Sequence, residues 1–130
     1  MTHDDVQRWI DAYLDAWRSY DPEAIGALFA EDVTYRYQPY RPPFEGRAAV
    51  VETWLDDKDA PGSWTASLEP FAVDGDRAAV VGTCRYLEPD GSQRTVFFNA
   101  WLIPPNISSV SAFNCSGRLR VRVATPFLVW

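Results

Sequence analysis

The chain has 130 residues, of which 47% are hydrophobic and 15% aromatic: enough for one domain with its own core, and too apolar for a disordered segment. A formal net charge of −6 excludes nucleic acid and anionic membrane as ordinary partners, because long-range repulsion opposes both. None of the 18 acids lies after Asp90, where only Arg94, Arg118, Arg120 and Arg122 carry charge.

From Asp4 to Tyr20, Val6, Ile10, Tyr13, Trp17 and Tyr20 recur at helical spacing, with Trp9, Leu14 and Ala16 widening the stripe. Thr2 is the expected N-cap of this aromatic-faced helix, and Asp4 and Asp5 suit its positive end. Asp21-Pro22 predicts a second, short helix that buries Ile25, Leu28 and Phe29. Val33, Thr34, Tyr35, Arg36 and Tyr37 alternate as a strand with the odd positions on one side. From Gln38 to Glu45, Pro39, Pro42 and Pro43 predict an unpaired loop carrying Tyr40 and Phe44. Gly46 opens a third helix with Val50, Val51, Trp54 and Leu55 on its apolar face, and Asp56 to Gly62 reads as an acidic connection.

Strands follow from Trp64 to Val73, bent near Pro70, from Arg77 to Glu88 and from Gln93 to Ile103. Turns at Asp74-Gly75 and at Pro89 to Ser92 join them into a meander. Pro104-Pro105 interrupts the sheet, Ile107 to Phe113 resumes it, and Arg118 to Leu128 forms the last strand. The arginine row Arg118, Arg120 and Arg122 there reads as a solvated or dimer-facing surface. Helices first and long strands afterwards predict an α+β domain, three N-terminal helices packed on an antiparallel sheet, in a single unit from 1 to 130.

Cys84 and Cys115 are too few for a disulfide framework and lie in no CxxC, so reduced thiols are expected. The acidic start Met1 to Asp5 lacks a signal-peptide core, and no apolar run reaches membrane-spanning length, so a cytoplasmic protein is expected. His3 is the only histidine, which removes a His-based triad and an ordinary His metal site; no metal or other cofactor is expected.

The runs V-Q-R-W-I-D-A-Y, D-P-E-A-I-G-A-L-F-A-E-D-V-T-Y, F-E-G-R-A-A-V and V-D-G-D-R-A-A-V-V-G resemble the SnoaL-like branch of the nuclear transport factor 2-like superfamily. The resemblance covers about Val6 to Ile103, after which the chain departs from the family's usual ending. It implies a cone-shaped α+β barrel with a curved sheet, a small-molecule pocket between helices and sheet, and a homodimer formed through the sheet. The superfamily includes isomerases, cyclases, dehydratases and noncatalytic binding proteins, so the resemblance leaves the activity open.

Resemblance to ketosteroid isomerase, a member of the superfamily, places Tyr13 and Asn99 at its two oxyanion-donor positions and Tyr37 where it carries a general-base aspartate. A phenol and an amide can donate to a carbonyl or enolate oxygen, but neither removes a carbon-bound proton near neutral pH. Tyr13 also reads as a core ring, and Asn99 as a buried amide that satisfies backbone groups. Asn99 is expected on the inward register of its strand with Phe97 and Trp101. Trp17, Tyr35, Tyr37, Trp54, Phe97 and Trp101 are the expected ligand-binding walls, although ordinary core accounts for some of them. Among the acids, Asp32 is expected to end a helix and Glu69 to be solvated; Asp11, Asp15 and Glu45 lie beside the helical face or at the loop junction. Three readings follow: an apolar small-molecule binder; an isomerase, cyclase or dehydratase with Tyr13 and Asn99 as donors and a base from a helix or loop; and a dimeric interaction module filled by its own rings.

Overall fold

Thr2 sets the first boundary. Its hydroxyl accepts the Asp5 backbone N–H at 3.1 Å while the Asp5 carboxylate accepts the Thr2 N–H at 2.8 Å, a reciprocal cap. Helix α1 (His3–Ser19) then buries Val6, Ile10, Tyr13, Leu14, Ala16 and Trp17 on one face. It stops at Tyr20, whose φ of 49° is left-handed and whose N–H still donates to the Ala16 carbonyl at 2.8 Å. This computed structural model describes the backbone of residues 1–37, 41–103 and 109–113, and the side chains of 1–37, 41–97 and 100.

Helix α2 (Pro22–Ala27) starts where the sequence predicts, the Asp21 carboxylate accepting the Glu23 N–H at 3.2 Å. The Trp9 indole N–H donates to the Leu28 carbonyl at 3.0 Å and ties α2 to α1. Strand β1 (Thr34–Arg36) pairs antiparallel with β2 (Phe44–Glu45). This is the first correction: the loop expected to be unpaired ends in a short strand. The prolines occupy 39, 42 and 43, so Phe44 and Glu45 are left to pair opposite Tyr35 and Thr34, and the next N–H, of Gly46, donates to the Val33 carbonyl at 2.7 Å. Gly46 follows with a φ of 86°, a conformation that favours glycine, and α3 (Arg47–Asp56) begins.

Strands β3 (Trp64–Asp74), β4 (Arg77–Leu87) and β5 (Gln93–Ile103) form the expected meander, with a register shift between Pro70 and Ala72 at the predicted bend. Strand β6 (Ser109–Phe113) then pairs antiparallel with β5 and parallel with β1, giving the order β2-β1-β6-β5-β4-β3. The parallel pair was not predicted, because the whole meander separates its partners in sequence. Among the described residues the sheet remains open rather than closing into a barrel, with β2 and β3 as its edges. The expected last strand with its arginine row, and Cys115, lie outside the described residues.

The helices cover one face of the sheet, where Leu68, Val80, Cys84, Tyr86 and Ala100 are buried beneath them. Cys84 is wholly buried and is not a free thiol but half of a disulfide. That corrects the expectation of reduced thiols. Counting cysteines and their spacing does not reveal which strand face a sulfur takes, and the face decides which sulfur it can reach. Among the described residues no helix is long and apolar enough to cross a membrane.

Candidate functional site

The helical stripe, β1 and α3 deliver aromatic side chains to one place. Tyr13 lies 5.1 Å from Trp9 and 5.0 Å from Trp54, the latter ring edge-on to it. Phe29 stands 5.6 Å from Tyr35, Tyr35 4.9 Å from Tyr37, and Tyr37 5.7 Å from Phe44, all edge-to-face. Such geometries suit the ring quadrupole and fix the rings relative to one another. Exposure rises along β1 and β2, from 1% at Tyr35 through a half-buried Tyr37 to 39% at Phe44. The line of rings therefore runs from core to surface.

Polar atoms converge at the inner end of that line. The hydroxyls of Tyr13 and Tyr35 lie 3.3 Å apart, both buried. Burial pushes both phenols well above their ordinary value, so at neutral pH each is a hydrogen-bond donor and not a base. The Trp54 indole N–H is close enough to Tyr35 to favour its ionised form, yet it reaches hydrogen-bonding geometry with no described group. A buried donor without an acceptor costs about 1–3 kcal/mol, so such groups are uncommon in settled cores. The Tyr86 hydroxyl is buried and unpartnered in the same way, with the Arg94 guanidinium over its ring at 4.6 Å.

A second polar corner forms where α1 ends and the connection after α3 passes. The Asp59 carboxylate accepts the Trp17 indole N–H at 3.0 Å and the Tyr20 hydroxyl at 3.3 Å, and the Asp59 backbone N–H donates to the Tyr20 oxygen at 2.8 Å. Trp17 stacks on Trp64 at 3.6 Å, which holds the corner against the sheet. Burial raises the Asp59 carboxyl above its ordinary value, and the bonds from Trp17 and Tyr20 offset only part of the rise. Burial likewise pushes Tyr20 up to about 12. Asp59 is thus a half-buried carboxyl held by two aromatic donors. Sequence reading missed it, because Asp56, Asp57 and Asp59 look alike in an acidic connection. The available signal was position: only Asp59 sits against the turn made by Ala60 and Ser63.

Of the residues expected at the site, Tyr13, Trp17, Tyr35 and Trp54 are buried together and Tyr37 packs beside them. Trp17 is committed to Asp59 and Trp64 rather than to an open wall. Phe97 is a correction. It is 74% exposed, while Val96 packs on the core and Ala100 is buried, so the even positions of β5 face the helices. Asn99 and Trp101 pair through their backbones with Val81 and Ala79; their side chains lie outside the described residues. Glu69 is exposed as expected; Asp32 is exposed too but ends no helix, because α2 stops at Ala27 and Asp32 lies in the turn that follows; Asp11 accepts from Gln7 at 2.9 Å, and Asp15 accepts from Arg18 at 2.8 Å. No three His, Cys, Asp or Glu side chains gather to hold a metal among the described residues.

The same architecture recurs in solved structures. A nuclear transport factor 2-like protein of unknown function from Burkholderia pseudomallei superposes with a TM-score of 0.66 at 16% identity, over 88% of this chain and 92% of that one. A putative polyketide cyclase from Sinorhizobium meliloti gives 0.62 at 22% identity, over 86% and 99%. TerC co-crystallised with polyporic acid gives 0.62 at 19% identity, over 81% and 89%. At these identities the likeness establishes the fold. No curated protein matches the chain. The model of the SnoaL-like domain matches residues 10–103, most of the chain, from within α1 to the end of β5, so the protein belongs to the SnoaL-like domain family.

Proposed function

We propose that this SnoaL-like domain binds a small hydrophobic molecule through a carbonyl-type oxygen, with the Trp54 indole N–H and one hydroxyl of the Tyr13–Tyr35 pair as donors and Tyr37 as an outer wall. The unpartnered Trp54 N–H beside the hydroxyl pair carries the reading. An apolar ring cluster with a few fixed donors is how small-molecule sites are built, and a ligand oxygen would relieve the buried donor. The putative cyclase and the polyporic acid complex among proteins of this fold support testing cyclic carbonyl compounds first. Exposed Phe97 on the opposite sheet face supports a homodimer formed there.

The test is calorimetry with polyporic acid, cyclic ketones and their parent hydrocarbons. Trp54→Phe should weaken the carbonyl compounds about tenfold, the value of one lost hydrogen bond to a buried group, and leave the hydrocarbons unchanged. Equal affinity for ketone and hydrocarbon in the unaltered protein would sink the donor assignment. A second reading rests on Asp59. A half-buried carboxyl shifted upwards is suited to general acid–base work, and Tyr13 would then serve as an oxyanion donor of an isomerase, cyclase or dehydratase. Turnover of a bound ketone that survives in Asp59→Asn would exclude that role.

A further inference from the structure

A groove of about 1060 Å³ runs between α2 and α3, and none of its described lining residues comes from the sheet. Its origin is legible in α3. Val50 and Trp54 are buried in the core, while Ala48, Val51 and Leu55 recur at spacings of three and four on a second side and line the groove. A helix that is apolar on two sides is normally covered on both. Pro22, Gly26 and Ala27 of α2 supply the facing wall. Carboxylates stand around this apolar floor: Glu23, Glu31, Glu52 and Asp56 line the groove and are all exposed. The one cation among the described lining residues, Arg47, is tied down, its Nε donating to the Phe29 carbonyl at 2.9 Å.

We propose that this groove docks a cationic amphipathic helix of a partner protein. Its aliphatic side chains would lie on Val51, Leu55 and Ala27, and its lysines or arginines would meet the rim carboxylates. Charge complementarity selects the occupant: four carboxylates against one committed guanidinium repel an acidic or neutral-polar helix and steer a basic one. A second copy of this chain, with its net charge of −6, is disfavoured on the same ground. An open trough between two helices also suits a third helix, about 10 Å across, which is the helix-in-groove mode of recognition.

The probe is a fluorescein-labelled peptide of about 14 residues, leucine at helical spacing and lysine elsewhere, followed by anisotropy at about 0.15 M salt. Saturable binding is expected, weakened about tenfold or more in Glu52→Lys/Asp56→Lys. The variant Asp11→Lys/Asp76→Lys changes the net charge equally away from the groove and should shift affinity less than about twofold. Unchanged thermal melts check that both variants fold. Equal loss in the two variants, equal binding of a peptide with serine for leucine, or no saturation would each overturn the proposal.

Discussion

Gly82 gives the sharpest test of how the sheet is packed under the helices. It sits opposite Leu68 in the β3–β4 pairing, on the face that carries Val80 and Cys84. A Cβ placed there would stand 2.0 Å from the Ser67 carbonyl oxygen, 2.8 Å from the Leu68 Cα and 2.7 Å from the Leu68 Cδ2. Two of these atoms are backbone and cannot rotate away, and the first contact lies far inside the 3.0 Å that real Cβ atoms respect. The φ of Gly82 is not in the left-handed region, so space alone decides the outcome. Gly82→Ala must push β3 and β4 apart between their ladder hydrogen bonds. Overpacking costs about 1–3 kcal/mol where side chains can adjust, and displaced backbone puts this case near about 3 kcal/mol. The lower unfolded-state entropy of alanine returns less than about 1 kcal/mol. Urea unfolding followed by circular dichroism should therefore show a lower midpoint at unchanged slope, and Tm should fall by roughly 10 °C. A loss under about 0.5 kcal/mol would refute the reasoning, because the strands would then part freely.

Three further outcomes follow from buried polar groups. Burial raises the Asp59 carboxyl above 3.8, so the folded chain holds that proton more tightly than the unfolded one. Its contribution is fully present below the unfolded pKa and lost as pH rises through the folded value, so urea midpoints of wild type relative to Asp59→Asn should decline across that window. Parallel profiles would show that Asp59 is not the group responsible. Tyr86→Phe removes a buried hydroxyl that has no partner and should stabilise the fold by up to about 1 kcal/mol; a loss of similar size in thermal unfolding would reveal a missed acceptor. Cys84 should resist iodoacetamide in the denatured, unreduced chain and react after reduction, and peptide mapping that finds it alkylated before reduction would contradict the bond.

The helices and the meander were legible because each carries a local signal. Thr2 and Asp21 cap where caps were expected, Pro70 marks the bend, and β5 runs over the predicted Gln93 to Ile103. What stayed hidden depends on distant partners. Strand β2 is two residues long and exists only because β1 is beside it, and β6 meets β1 across the whole meander. At the ring cluster, helical and strand periodicity put Tyr13, Tyr35 and Trp54 on buried faces, and only the family resemblance suggested a donor role for Tyr13; Asp59 carried no such signal, since one acid among several becomes distinct only when Trp17 and Tyr20 point at it.

The misplacement of Phe97 has a physical cause that bears on function. Strand β5 reads Q-R-T-V-F-F-N-A-W-L-I, apolar at both even and odd positions, so alternation cannot choose its face. The burial of Ala100 and the packing of Val96 assign the even positions to the helices, which leaves Phe97 on the outside across from Thr83. A strand that is apolar on both sides is stable when both sides are covered, and here the helices cover one. The described donors at the ring cluster come from α1, β1 and α3, while exposed Phe97 lies on the outer face where the dimer is proposed. On that arrangement Phe97→Asp should abolish the proposed dimer in light scattering while leaving ligand affinity intact. A parallel loss of both would mean that the outer face and the ring cluster are one site after all.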